Sequence, residues 1–185
     1  MKKILMSAVV LVFGVSALSA QSPWFLSGSI GFNHTKDASD AKITRFDIAP
    51  AVGYMLNENW GVTLDGVYSH TKIGDASSDS FGVGVGALYV CKLGEKFFYT
   101  PNVRLGYGQS DVAVGTEGAT AKLNAFGVNL NVLAFEFRPT TRWGLTLGFG
   151  GLQYSNSKVK DADSSTNSFG LNIANTTAVG FKFYF

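Results

Sequence analysis

The chain has 185 residues, with 15 lysines and arginines against 13 acids, one cysteine, 22 glycines, 15 phenylalanines and only 4 prolines. Nearly balanced charge excludes an electrostatic case for nucleic acid, and a single cysteine excludes an internal disulfide framework. Many glycines and aromatics with few breakers point to an all-β chain.

Residues 1–20 read as a cleaved export signal. Lys2 and Lys3 lead into the apolar run ILMSAVVLVFGVSAL (4–18), followed by the small residues of SAQS (19–22), the order of a secretory signal peptide. The run is shorter than the ~20 residues of a spanning helix. Cleavage after Ala20 places Leu18 three positions back and cleavage after Ala17 places Val15 there, so both sites stay open. Cys91 is too distant to carry a lipid anchor at either. The remainder, 21–185, is expected to form one domain, because no linker or composition shift divides it. It carries 13 basic and 13 acidic residues.

From there apolar and small or polar residues alternate, the mark of strands with two unlike faces. Eight such runs follow in chain order, near 24–35, 43–56, 60–72, 80–92, 97–109, 121–138, 142–156 and 167–185. In the fifth, Phe97, Tyr99, Pro101, Val103, Leu105 and Tyr107 oppose Phe98, Thr100, Asn102, Arg104, Gly106 and Gly108. The seventh sets Trp143, Leu145, Leu147 and Phe149 against Gly144, Thr146, Gly148 and Gly150. The connections alternate as well. NEN (57–59), LGEK (93–96) and PTT (139–141) are short, whereas KDASDAK (36–42), IGDASSDS (73–80), SDVAVGTEGAT (110–120) and SKVKDADSSTN (157–167) are longer and polar.

Two eight-stranded architectures alternate in this way, a soluble ligand-binding barrel and a membrane barrel. An eight-stranded barrel is too narrow to hold the large residues of every strand, so the apolar face belongs outside, against lipid. The fold predicted is therefore an eight-stranded antiparallel up-and-down transmembrane β-barrel. Aromatic or amphipathic positions near both ends of the strands, Trp24 with His34, Trp60 with His70, Phe97 with Tyr107 and Tyr89 below Phe81, suit the belts of a barrel wall. Phe181, Phe183 and Phe185 fall on the lipid face of the closing strand, Phe185 at the periplasmic belt.

Two features fit the alternation poorly. Pro50 and Pro101 each remove a ladder donor within a strand. The last strand, nineteen residues long, exceeds the ~10-residue span of a tilted membrane strand and turns Asn175 and Thr177 toward lipid. Either a bulge resets its alternation, or its upper part stands above the membrane.

The stretches DIAPAVGYMLNENWGVTL (47–64) and YTPNVRLGYG (99–108) resemble the P-x-V-G-Y strands of the small outer-membrane β-barrel family that includes the OmpA- and OmpX-type barrels. The resemblance covers the whole of 21–185. It implies a monomer without cofactor in the outer membrane of a Gram-negative cell, surrounded by outer-membrane lipid and lipopolysaccharide. The closing strand is similar to the signal read by the outer-membrane assembly machinery, which implies that Phe181, Phe183 and Phe185 serve as an assembly signal through strand addition. No OmpA-like peptidoglycan-binding domain is expected beyond the barrel.

Alternation turns Arg45, Asp47, Asp65, Arg104 and Lys182 into the lumen with Asn102, Asn129 and Asn131. Side chains just fill an eight-stranded interior, so a polar plug is expected, with Arg104 paired to Asp65 or Asp47 because an unpartnered buried charge is costly. A selectivity filter or proton path is the alternative. Lys36, Lys42, Lys72 and Lys122, with Lys158 and Lys160, stand at the bases of the long loops, where they suit the sugars and phosphates of lipopolysaccharide or ordinary solvation. No catalytic, cofactor or metal motif is present. Ser69 and His70 are adjacent in a strand and face opposite ways, and the glycines of GVGVG (82–86) are spaced by two, as inward barrel positions are. The expected function is that of a non-enzymatic surface barrel serving envelope integrity or external contacts. A narrow solute or ion channel and a lipid-A-modifying enzyme are the alternatives.

Overall fold

The computed structural model describes residues 23–36, 42–74, 76–114, 119–160 and 165–185, and within these the backbone alone at 33, 35, 36, 42, 76, 112–114, 119, 120 and 172–177. The expected signal, 1–20, lies outside the described residues.

The strands are β1 (Trp24–Lys36), β2 (Lys42–Met55), β3 (Trp60–Ile73), β4 (Ala76–Tyr89), β5 (Cys91–Lys92), β6 (Phe97–Tyr99), β7 (Asn102–Val114), β8 (Ala119–Asn131), β9 (Ala134–Phe137), β10 (Trp143–Val159) and β11 (Ser165–Tyr184). Eight of them form a ring in the order β11–β1–β2–β3–β4–β7–β8–β10, closed by the pairing of β10 with β11. The short segments β5, β6 and β9 prolong β4, β7 and β8 toward the short-turn end, where β6 pairs with β5 and β9, and β9 with β10. All neighbours run antiparallel. Closure leaves no open edge, the condition for a sheet to sit in hydrocarbon.

The strands reach further at the loop end than alternation suggests. The stretch 73–80, expected as a long loop, is mostly strand: Ile73 pairs with Ala76, Lys72 with Ser77 and Thr71 with Ser78. Gly74 takes a φ of 58° there, a left-handed value that favours glycine. Likewise β7 continues to Val114, and β10 and β11 pair up to Lys158 with Ser165. Polar serines and asparagines break the apolar pattern without breaking the ladder, because water can face both sides of a strand that has left the membrane.

Both prolines sit where the ladder yields locally. Pro50 pairs with Gly28 of β1, while its pairing to β3 lapses at Ala49–Pro50 and resumes in the same register at Ala51–Asp65. Pro101 accepts from the Tyr89 amide at 2.9 Å but has no N–H to return the bond. The strand breaks beside it, and the Val90 amide turns to Asn59 O at 2.6 Å while Asn59 Nδ2 donates to Val90 O at 2.9 Å.

Two irregularities lie side by side in the wall. Asn102 pairs with Asn131 but Tyr99 with Phe135, so one extra residue is accommodated at Val132–Leu133. Next to it β10 slips against β11, from Gly148–Ala178 to Gly150–Ile173. Gly150 has a φ of 110°, and a side chain on Gly151 would overlap the Leu130 carbonyl. Between themselves the two bulged strands keep one register, Leu152–Leu130 above and Leu147–Phe135 below. In each, the outward residues change parity across the bulge. The continuous alternation expected for 121–138 and 142–156 is thus corrected. Of the two accounts of the long last strand, register irregularity is present opposite Phe149, while the side chains of Asn175 and Thr177 lie outside the described part.

The exterior is apolar, with Phe32 72% and Phe169 73% exposed, and the interior at the short-turn end holds a small core of Phe25, Leu88 and Val90 against Met55, Phe98 and Tyr184.

Candidate functional site

In the lower lumen Glu136 is 0% exposed. Arg138 Nε donates to its Oε1 at 2.7 Å, Lys182 Nζ to its Oε2 at 2.9 Å and the Tyr184 hydroxyl to its Oε1 at 2.8 Å. Arg138 Nη2 also donates to the Tyr184 hydroxyl at 2.6 Å. The guanidinium lies over the rings of Phe98 and Tyr184, 4.1 and 4.4 Å from their centroids. Among the described residues no buried side-chain nitrogen or oxygen lacks a partner, as burial in a low-dielectric interior requires. Sequence reasoning found Lys182 and missed Glu136 and Arg138. Alternation carried down from Asn129 and Asn131 turns Glu136 outward, and the bulge at Val132–Leu133 turns it in. The available signal was chemical: a Glu and an Arg two apart on a lipid face are too costly to stand there.

Halfway up, Arg104 donates through Nε to Asp65 Oδ2 at 2.7 Å, with Nη2 at 2.6 Å from the same oxygen. Asp47 is engaged elsewhere. It accepts from Arg45 Nε at 2.9 and 3.0 Å and from the Ser69 hydroxyl. Asn131 Nδ2 donates to Asn102 Oδ1 at 2.9 Å. The structure therefore groups the five sequence-named charges into Arg45–Asp47, Asp65–Arg104 and Lys182 with Glu136. Above Arg104 the lumen widens into a cavity of about 300 Å³ lined by Ser80, Gly82, Gly108, Ser110, Gly127 and Ser155, among others.

The outer wall carries two aromatic belts. At the short-turn end each of the four hairpins sets one ring against another across the strands: Trp24–Tyr54 at 4.9 Å, Trp60–Tyr89 at 5.0 Å, Phe97–Phe137 at 5.0 Å and Trp143–Phe183 at 4.8 Å between centroids. Toward the loop end the same hairpins pair Phe32 with Phe46, Tyr68 with Phe81, Tyr107 with Phe126 and Tyr154 with Phe169. In the first two hairpins the rows lie eight residues apart along each strand, roughly 26 Å at ~3.3 Å per residue. At a tilt of about 35–45° the two belts stand roughly 20 Å apart along the barrel axis, within an apolar band of about 25 Å.

His34 and His70, expected within the upper belt, stand one pair beyond it, opposite Thr44 and Asp79. His34 Nδ1 lies 2.9 Å from Thr44 Oγ1. Asp79 Oδ1 lies 2.8 Å from His70 Nδ1 and accepts from the Tyr68 hydroxyl at 2.8 Å. Ser69 is buried inside while His70 faces out. Lys72 and Lys122 are exposed, and Lys122 pairs with Asp111. Lys36 and Lys42 pair directly across β1 and β2, with side chains outside the described part. At the closing strand Phe181 is 44% exposed, but Phe185 retains only 9%. Its ring sits 5.2 Å from that of Phe183, so the expected lipid-facing terminal ring is in fact covered.

A closed ring of eight antiparallel strands, with aromatic belts outside and ion pairs within, has counterparts among known proteins. The model of the outer membrane protein beta-barrel domain family matches residues 5–182. Neisserial surface protein A is similar in structure at 15% identity, with 89% of this chain and 98% of that chain covered and a TM-score of 0.54. The Yersinia pestis outer membrane protein Ail shares 17% identity over 88% of this chain and 100% of that chain, with a TM-score of 0.38. No curated protein matches the chain. With the family model spanning nearly its whole length, the chain belongs to the outer membrane protein β-barrel domain family.

Proposed function

We propose that this protein is a non-enzymatic surface barrel of the outer membrane, serving envelope integrity or external contacts through its loop end, with a lumen closed to solutes. One observation carries the reading: Glu136, Arg138, Lys182 and Tyr184 interlock across the lower lumen beside Phe25, Leu88 and Val90. The charges that alternation offered to a filter or proton path are consumed by one another. Ser69 and His70, adjacent in sequence, occupy opposite faces and do not form a nucleophile–base pair. The partners in this reading are outer-membrane lipid, lipopolysaccharide at Lys36, Lys42, Lys72 and Lys122, and the assembly machinery.

Conductance in planar bilayers tests it. The refolded protein is expected to give no steady current at neutral pH, and a Glu136→Ala, Lys182→Ala variant is expected to leak. Reproducible open-channel steps from the unaltered protein would replace the plug with a channel.

A further inference from the structure

Four outward residues on neighbouring strands form one row just beyond the upper aromatic belt. His34 of β1 pairs with Thr44 of β2, Thr44 with Lys72 of β3, and Lys72 with Ser77 of β4. His34, Lys72 and Ser77 are exposed. At ~4.8 Å between strands the two basic residues flank the Thr44 hydroxyl about 10 Å apart, within reach of one tetrahedral anion. The neighbouring carboxylate, Asp79, is taken up by His70 and Tyr68. Directly below lies apolar wall: Phe32 is paired with Phe46, both exposed, and Ile30 with Ile48.

The rest of the circumference differs. At the corresponding height Gln109 Nε2 bonds Asn124 at 2.9 Å and Asn156 Nδ2 bonds Asn167 at 2.7 Å, while Lys122 faces Asp111. That wall is basic too, with Lys158 between Asn124 and Ser165 and Lys122 beside Lys160. What sets the β1–β4 row apart, among the described residues, is a histidine and a lysine on either side of one hydroxyl above exposed aromatic surface.

We propose that this row binds the phosphate of a lipid headgroup in the outer leaflet. His34 and Lys72 hold the anion, the Thr44 and Ser77 hydroxyls donate to it, and an acyl chain lies along Phe32 and Phe46. His34 meets Thr44 Oγ1 through Nδ1 at 2.9 Å, which leaves its second ring nitrogen to face the ligand. The site rests on the surface-barrel reading for which end of the barrel faces outward, and it narrows the lipid contact which that reading gives Lys72 to one row of four residues.

Native mass spectrometry of the detergent-solubilised full chain, titrated with phosphatidic acid, tests the proposal. The unaltered barrel is expected to retain one phosphatidic acid at concentrations where phosphatidylcholine is not retained. His34→Gln with Lys72→Gln should weaken retention about thirtyfold, the scale of two basic groups at a membrane surface. Lys92→Gln with Lys96→Gln, a basic pair at the opposite end, should leave it unchanged. Equal weakening in both double variants, or in neither, overturns the site. Loss of the lipid to an equal concentration of inorganic phosphate overturns the lipid assignment in favour of a free anion. Heat-modifiable gel migration verifies that each variant is folded. Because no arm reads conductance, a failure here is separable from a failure of the closed lumen.

Discussion

Glu136 occupies the space that a side chain on Gly144 would need: a Cβ built on Gly144 overlaps Glu136 Oε1. The same relation recurs along the lumen. Phe25 covers Gly53, its direct partner across the ladder, and the Arg104 guanidinium covers Gly84 and Gly106. Eight strands enclose little width, and Glu136, Phe25 and Arg104 find theirs over glycines.

Gly144→Ala should therefore destabilise the barrel by about 1–3 kcal/mol, the usual cost of overpacking. Urea unfolding of the refolded barrel in detergent measures it. Combining Gly144→Ala with Glu136→Ala should show strong non-additivity, since the second change removes the clash. A Gly144→Ala variant as stable as the parent would mean that Glu136 is not confined there.

Arg104 and Asp65 should behave as a coupled pair. Removing one partner strands a charge in a narrow lumen, at a cost of about 3 kcal/mol, the lower end of the range for buried pairs, since Arg104 keeps 27% of its side chain exposed. Arg104→Met with Asp65→Leu should cost less than either single change. A double-mutant cycle by urea unfolding is the measurement, and additive losses would show that the pair does not interact.

The bulge beside Gly150 offers a backbone test. With φ at 110°, Gly150→Val should lose about 1–3 kcal/mol to strain. Gly94→Ala, in a short turn where a Cβ meets nothing within 4 Å, should stay within about 0.5 kcal/mol of the parent. Similar unfolding midpoints for the two variants would remove the special role of the bulge.

Deleting Phe185 separates burial from recognition. As a covered ring it is worth roughly 1.5–3 kcal/mol, so the shortened chain should refold from denaturant into detergent nearly as well as the parent. If Phe181, Phe183 and Phe185 also serve as the assembly signal, the same chain should be sharply depleted from the outer membranes of cells. Normal assembly in cells would leave these rings with a packing role alone.

Much of the fold was legible because its cause is local. Period-two alternation depends only on successive residues pointing to opposite faces, so it reveals eight strands and, through the narrowness of the lumen, which face meets lipid. It also placed Asp65 and Arg104 on the wet face, where they meet. Strand ends at the loop side were less legible, because strands standing in water need no apolar pattern.

Alternation carries one assumption, that every strand keeps its parity from end to end. Two bulges break it, at Val132–Leu133 and at Gly150, and they decide which side chains enter the lower lumen. Phe135 and Phe137 go to lipid below the bulge, and Glu136 goes to Lys182, on a strand 46 residues away. Residue order alone determined a barrel with a wet inside and an apolar outside. Which charges meet within it was decided by the register of neighbouring strands, because hydrogen bonds between distant segments set that register and a single inserted residue reverses every side chain beyond it.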